Sequence, residues 1–161
     1  MRCYEITLND DTHVQLRLTA AKLEWYLKET KSDQQNPLLG VLDAVAILGK
    51  RIKLLTAALQ WPGNENTVKD GAALLDKLLD DGVRPREISN MILELACQAG
   101  LMEEEELEDM MAANAEGSVK FRDAIRDFLA GKEPTGGSAE APAADTAAQA
   151  GANPTAGPEM S

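Results

Sequence analysis

Apolar and polar residues alternate in two short stretches near the start of the chain, residues 2–8 (Arg-Cys-Tyr-Glu-Ile-Thr-Leu) and 12–18 (Thr-His-Val-Gln-Leu-Arg-Leu). A period of two places Tyr4, Ile6 and Leu8 on one face of the first stretch and Val14, Leu16 and Leu18 on one face of the second. Between them stands Asn9-Asp10-Asp11, residue types that tolerate left-handed backbone and hydrogen-bond to their own main chain. The pattern predicts a β-hairpin. A lone hairpin is marginal in water, so its apolar face is expected to rest on whatever follows.

From Thr19 onward the period lengthens to that of a helix. Thr19 is a cap for a helix over about 20–31, with Leu23, Tyr26 and Leu27 on one stripe and Trp25 off it. Asn36-Pro37 opens a second helix carrying Leu38, Leu39, Val41, Leu42, Val45, Ala46 and Leu48. Asp43 is its only charge, so it is expected to be the most buried helix. Gly49 is a place for a kink or an end, after which Ile52, Leu55 and Leu59 continue to Trp61, and Pro62-Gly63-Asn64 stops the run. Thr67 and Asp70 have capping-box spacing ahead of a face of Val68, Ala72, Leu75 and Leu79, closed by Gly82. Pro85 starts a helix with Ile88, Met91, Ile92, Leu95 and Ala99 inward, ended by Gly100. An acidic helix over about 103–115 carries Leu107, Met110 and Met111. Ser118 caps a last one bearing Phe121, Ala124, Ile125, Phe128 and Leu129.

After Gly131 the chain turns to Ala, Gly, Pro, Thr and Ser, with no Leu, Ile, Val, Phe, Tyr or Trp. Such a segment cannot bury enough apolar surface to offset the ordering of its backbone, roughly 1–2 kcal/mol per residue. The fold expected is therefore mostly α (α+β). An N-terminal hairpin packs on a bundle of five to six helices over residues 1–131, and residues 132–161 form a disordered, acidic Ala/Gly/Pro-rich tail.

The formal charge of −11 changes this picture through its placement. Glu103, Glu104, Glu105, Glu106, Glu108 and Asp109 supply a concentrated acidic run, and the tail most of the remainder. Phosphate backbones are bound through an excess of Lys and Arg, so no nucleic-acid partner is expected. Lys50-Arg51-Ile52-Lys53, the basic cluster, reads as the solvated side of a helix. No stretch is apolar enough to span a membrane, and the start lacks the apolar core of a signal peptide, which predicts a cytoplasmic protein without a membrane partner. Cys3 and Cys97 read as ordinary reduced thiols.

Candidate chemistry is sparse. His13 is the only histidine and sits beside the hairpin turn with no Ser or Cys pattern to form a triad. No dinucleotide fingerprint, phosphate loop or HExxH is present. The acids from Glu103 to Glu106 point around a helix instead of converging on a metal, and read as a solvated helix start. No enzyme activity and no cofactor are expected. The residues suited to a partner surface are Trp25, Trp61, Met110, Met111, Phe121 and Phe128, since aromatic and Met side chains serve interfaces as well as cores.

Taken in order, the hairpin Tyr4-Glu5-Ile6-Thr7-Leu8-Asn9 with Val14-Gln15-Leu16-Arg17-Leu18-Thr19, then Asn36-Pro37-Leu38, then Leu54-Leu55-Thr56-Ala57-Ala58-Leu59-Gln60, then Leu74-Leu75-Asp76-Lys77-Leu78-Leu79-Asp80-Asp81-Gly82 resembles the tail assembly chaperones of long-tailed bacteriophages and prophages. The resemblance covers about residues 4–102. It implies a protein of the infected host's cytoplasm that binds the tape measure protein, and the tail tube protein through an extended form, and is absent from the mature virion. In that family a programmed ribosomal frameshift near the C-terminus often fuses a second domain. Codons for Gly131-Lys132 could hold the slippery run. The acidic, Phe-containing helical region after Met102 departs from the family pattern. The alternative from another class is an acidic inhibitor or DNA mimic occupying a basic nucleic-acid-binding partner.

Overall fold

In a computed structural model, residues 3–62 and 66–132 are described. Strand β1 (Tyr4–Thr7) pairs antiparallel with β2 (His13–Leu16), with Tyr4 opposite Leu16 and Ile6 opposite Val14. The apolar positions thus share one face, as the alternation requires. In the turn Asp11 takes φ 65°, Leu8 N–H donates to Thr12 O at 2.9 Å, and Asp10 accepts from Thr12 N–H at 3.0 Å.

Seven helices follow among the described residues: α1 (Ala20–Glu29), α2 (Pro37–Ala46), α3 (Leu48–Leu59), α4 (Gly71–Asp80), α5 (Pro85–Gln98), α6 (Glu104–Glu116) and α7 (Ser118–Lys132). The mostly helical architecture with its hairpin matches the expectation. The count is higher because the apolar run after Pro37 breaks at Ile47, in extended conformation (φ −111°, ψ 113°), two residues before Gly49. The break puts Ile47 and Leu48 on the surface, 46% and 59% exposed, where a helix running through Leu48 to a kink or end at Gly49 was expected to bury Leu48. α2 shares the place of most buried helix with α5. It buries half its residues, the same share as α5, whose Ile88, Met91, Ile92, Leu93, Leu95, Ala96 and Cys97 are all in the core.

Caps fix most boundaries. Thr19 Oγ1 accepts from Lys22 N–H at 3.2 Å, and Asn36 Oδ1 from Leu39 N–H at 3.3 Å. At α4 the cap is Asp70, accepting from Ala72 N–H at 2.7 Å, so Thr67 lies outside the helix. That start turns Leu74, Leu75 and Leu78 inward and leaves Leu79 54% exposed, a correction to the stripe expected from Thr67. Gly82 (φ 85°) and Gly100 (φ 82°) close α4 and α5 in left-handed conformation, with Val83 N–H on Leu78 O and Leu101 N–H on Ala96 O. Glu106 reaches back to Glu103 N–H at 2.8 Å to start α6, where the helix dipole also favours acids. Ser118 is the first residue of α7, following Gly117 (φ 134°).

The core is built from one face of the hairpin (Leu8, Val14, Leu16, Leu18) on α3, with α4, α2 and α5 packed around. Tyr26, fully buried, joins α1 to α2 by donating to Gly40 O at 2.6 Å. β2 is tied to α3 by Arg17 N–H on Ala58 O at 2.8 Å. Its outer edge is met by Asn66, which sequence reasoning passed over: Gln15 N–H donates to Asn66 Oδ1 at 2.8 Å, and Asn66 Nδ2 donates back to Gln15 O at 2.8 Å. α3 and α4 touch most closely where Gly71 N–H donates to Thr56 Oγ1 at 2.8 Å.

The chain divides into two units, residues 1–125 and the part from Arg126 on. Of the second, the described portion is the end of α7, Arg126 through Lys132, where Phe128 and Leu129 are half-buried. Lys132 is thus helical. The rest of the expected disordered tail lies outside the described residues, as do Gly63 and Asn64 of the expected stop. No helix among the described residues is long and apolar enough to cross a membrane.

Candidate functional site

The break at Ile47 is held by three bonds. Arg51 reaches back along the chain, Nε donating to Ala44 O at 3.0 Å and Nη2 to Val45 O, which satisfies carbonyls that the end of α2 leaves without helical partners. Lys50 Nζ pairs with Asp43 at 2.9 Å, and Lys53 faces Glu29 at 3.6 Å. The basic cluster expected on a solvated face is therefore spent on intramolecular contacts.

Because the corner turns here, α3 presents Leu48 and Ile52 beside the outward side of α4. A groove of about 310 Å³ opens between them, walled by Leu48, Ile52, Leu75, Leu79 and Ile88, with Arg51 and Asp76 at its edge. Pro85, first residue of α5, closes its end and also borders a second groove of about 470 Å³. That one is lined by Val45 and Ala46 from α2, Phe121 and Ile125 from α7, and the polar side chains Arg86, Ser89, Asn114, Ser118 and Arg122. Asn114 is 6% exposed and commits both amide hydrogens, to Arg86 O at 3.0 Å and Asn90 Oδ1 at 2.8 Å. The two depressions border the same residue, Pro85, and together, as the trough, draw their lining from residues between 45 and 125.

Fully burying a leucine is worth roughly 1.5–3 kcal/mol over leaving it exposed. Leu48 and Leu79, each more than half exposed, leave much of that unrealised within the chain. A contiguous apolar surface rimmed by polar groups is what an interaction site looks like physically.

The residues singled out by sequence do not converge on this trough. Trp61 donates its Nε1 hydrogen to Gln15 O at 3.4 Å and lies under Arg17, 5.4 Å from the ring centre, so it braces the hairpin. Trp25 is half-buried on α1 with Lys22 over its ring at 5.6 Å. Met110 is in the core at 3% exposure. Met111 is half-buried and lines a shallow depression with Glu94, Cys97, Glu104, Leu107 and Glu108. Phe121, 6% exposed, is the one of these that forms part of the trough. Phe128 belongs to the second unit.

Leu48, Leu79, Arg86 and Arg122 were missed. The pattern carried no warning: at 3.6 residues per turn Leu74, Leu75, Leu78 and Leu79 cover an arc of about 140°, which one buried face can hold.

Other chemistry is thin. His13 Nδ1 lies 3.2 Å from Thr7 Oγ1 in an exposed position. Neither Cys3 nor Cys97 is in a disulfide, and Cys97 is buried. Glu103, Glu104, Glu105 and Glu108 share an open acidic surface. Among the described residues no group of three or more His, Cys, Asp or Glu is placed to hold a metal ion. Compared with family models, curated proteins and solved structures, the chain finds no match in any of the three.

Proposed function

We propose that this chain is a non-enzymatic binding protein of the host cytoplasm, a tail assembly chaperone that holds the tape measure protein, and in an extended form the tail tube protein, until the tail is built. The observation that carries the reading is the pair of grooves that meet the same Pro85, with Leu48 and Leu79 exposed on a strongly negative chain. A holding protein must cover assembly-prone apolar surface while keeping itself and its client in solution, and an apolar trough on an acidic body suits both needs. Helices seated in such grooves bind through side chains spaced three and four residues apart, the pattern a long helical client presents repeatedly. The element order and the segment Leu55-Thr56-Ala57-Ala58-Leu59-Gln60 add the family resemblance.

The direct test is co-expression with the tape measure protein of the same genome, followed by affinity capture. Wild-type chain should keep the client soluble and retain it, and the double variant Leu48→Asp/Leu79→Asp should not. A tape measure that stays equally insoluble and unbound with wild-type chain removes the reading.

A further inference from the structure

Across the whole chain acids outnumber bases 27 to 16. A surface patch drawn from it at random would lean acidic. The larger groove does the opposite: none of its lining residues is acidic, and Arg86 and Arg122, both exposed, stand on its border. Neither arginine is held in an ion pair among the described residues, whereas Lys50, Lys53 and Arg84 each face a carboxylate of the chain. Asn114, with both amide hydrogens committed, has only its carbonyl oxygen left to offer. The groove therefore combines an apolar floor, two cationic donors and one acceptor.

We propose that this groove takes an amphipathic helical segment of a partner protein whose apolar face lies on Phe121 and Ile125 and whose flanking Asp or Glu side chains meet Arg86 and Arg122. A peptide segment fits better than a small amphiphile because a second groove, with Leu48 and Leu79 on its walls, borders the same Pro85, and a single short ligand in one depression would leave it uncovered. Guanidinium groups bind carboxylates in a forked, two-point geometry, so the pair of arginines sets the ligand's orientation as well as its charge preference. The inference rests on the binding-protein reading and adds the chemistry of the occupant.

The test uses the full chain and two synthetic helices, each with leucines at helical spacing, one flanked by Glu and its twin by Lys, with binding followed by fluorescence anisotropy. At low salt the Glu-flanked peptide should bind at least about fivefold more tightly, the ratio shrinking towards one as salt rises. Arg86→Glu/Arg122→Glu should invert the preference with an unchanged circular dichroism spectrum. The single variants Arg86→Gln and Arg122→Gln should each lose part of it, which keeps the test decisive if the double variant fails to fold. Equal affinity for the two peptides, or binding of dodecanoate with no peptide binding, overturns the inference. If neither peptide binds while the tape measure is still captured, this occupant is wrong and the chaperone reading stands. If the Glu-flanked peptide binds with the expected preference and the tape measure is not captured, the inference holds and that client is wrong.

Discussion

Asn66 pairs with Gln15 through two bonds of 2.8 Å, its side-chain amide accepting from the backbone N–H and donating to the backbone carbonyl. A single side chain thus does for the outer edge of β2 what a third strand would do. Its Nδ2 also lies 3.3 Å from Leu59 O, linking that edge to the end of α3. Edge groups left open invite pairing with other chains.

Asn66→Ala should destabilise the chain by about 1–3 kcal/mol, because the Gln15 N–H loses its acceptor and the Gln15 carbonyl keeps only the longer bond from Trp61. Asn66→Asp should cost more, since a carboxylate would face two carbonyl oxygens. Chemical denaturation of the three proteins checks the order, and equal stability of Asn66→Asp and wild type would contradict it.

Tyr26 gives the fold a defined alkaline limit. Burial, and secondarily the charge of Asp43, push its phenol far above the ordinary value of 10.0. The folded state therefore keeps the neutral form. The stabilisation is complete below about pH 10, where the unfolded phenol is also neutral, and is lost as pH rises beyond it, at up to about 1.4 kcal/mol per pH unit. Tyr4, raised by burial and then by Glu94 and Glu87, adds in the same direction. Melting temperature measured against pH should be flat through neutrality and fall above pH 10. Tyr26→Phe should start lower by about 0.5–1.5 kcal/mol, through the lost hydrogen bond to Gly40 O, and show a shallower alkaline fall.

Two glycines should respond in opposite directions to alanine. A Cβ at Gly71 would overlap Ile52 O and approach the backbone nitrogen of Thr56 to 2.9 Å, so Gly71→Ala should destabilise by about 3 kcal/mol, the upper end of overpacking. Nothing lies within 4 Å of a Cβ at Gly49, and Gly49→Ala should stabilise by up to about 1 kcal/mol by restricting the unfolded chain. Thermal melts of the pair decide it.

Leu48→Asp and Leu79→Asp, at positions 59% and 54% exposed, should each change stability by less than about 0.5 kcal/mol. Both should lower the fluorescence of a dye that binds apolar surface. A large loss of stability would mean these side chains serve the core instead of the trough.

Much of this was legible in the residues. Strict alternation placed Ile6 opposite Val14, Thr19 and Asn36 capped where expected, and Gly82 and Gly100 ended their helices because only left-handed backbone closes them there. What could not be read depended on partners far apart in sequence. Where the run after Pro37 turns is decided by Arg51 returning to Ala44 and Val45, whereas the local signal for a break, Gly49, stands two residues further on. Asp70 outcompetes Thr67 as a cap because Gly71 must lie against Thr56, a tertiary constraint. Those two misreadings hid the trough, since they assigned Leu48 and Leu79 to buried faces. Trp25 and Trp61 attracted notice as large aromatic residues, yet the hydrogen bond to Gln15 and the neighbouring Arg17 give Trp61 an internal task that composition does not reveal.

The corner at Ile47 bears on kinetics as much as on shape. Arg51 and the Lys50–Asp43 pair set the angle between α2 and α3 within the chain itself, so one wall of the trough is in place before any visitor arrives. Association then involves little ordering on this side, and the entropic penalty falls on the incoming segment. Such a preorganised surface captures quickly, and it discriminates among ligands by how long they stay instead of how fast they arrive.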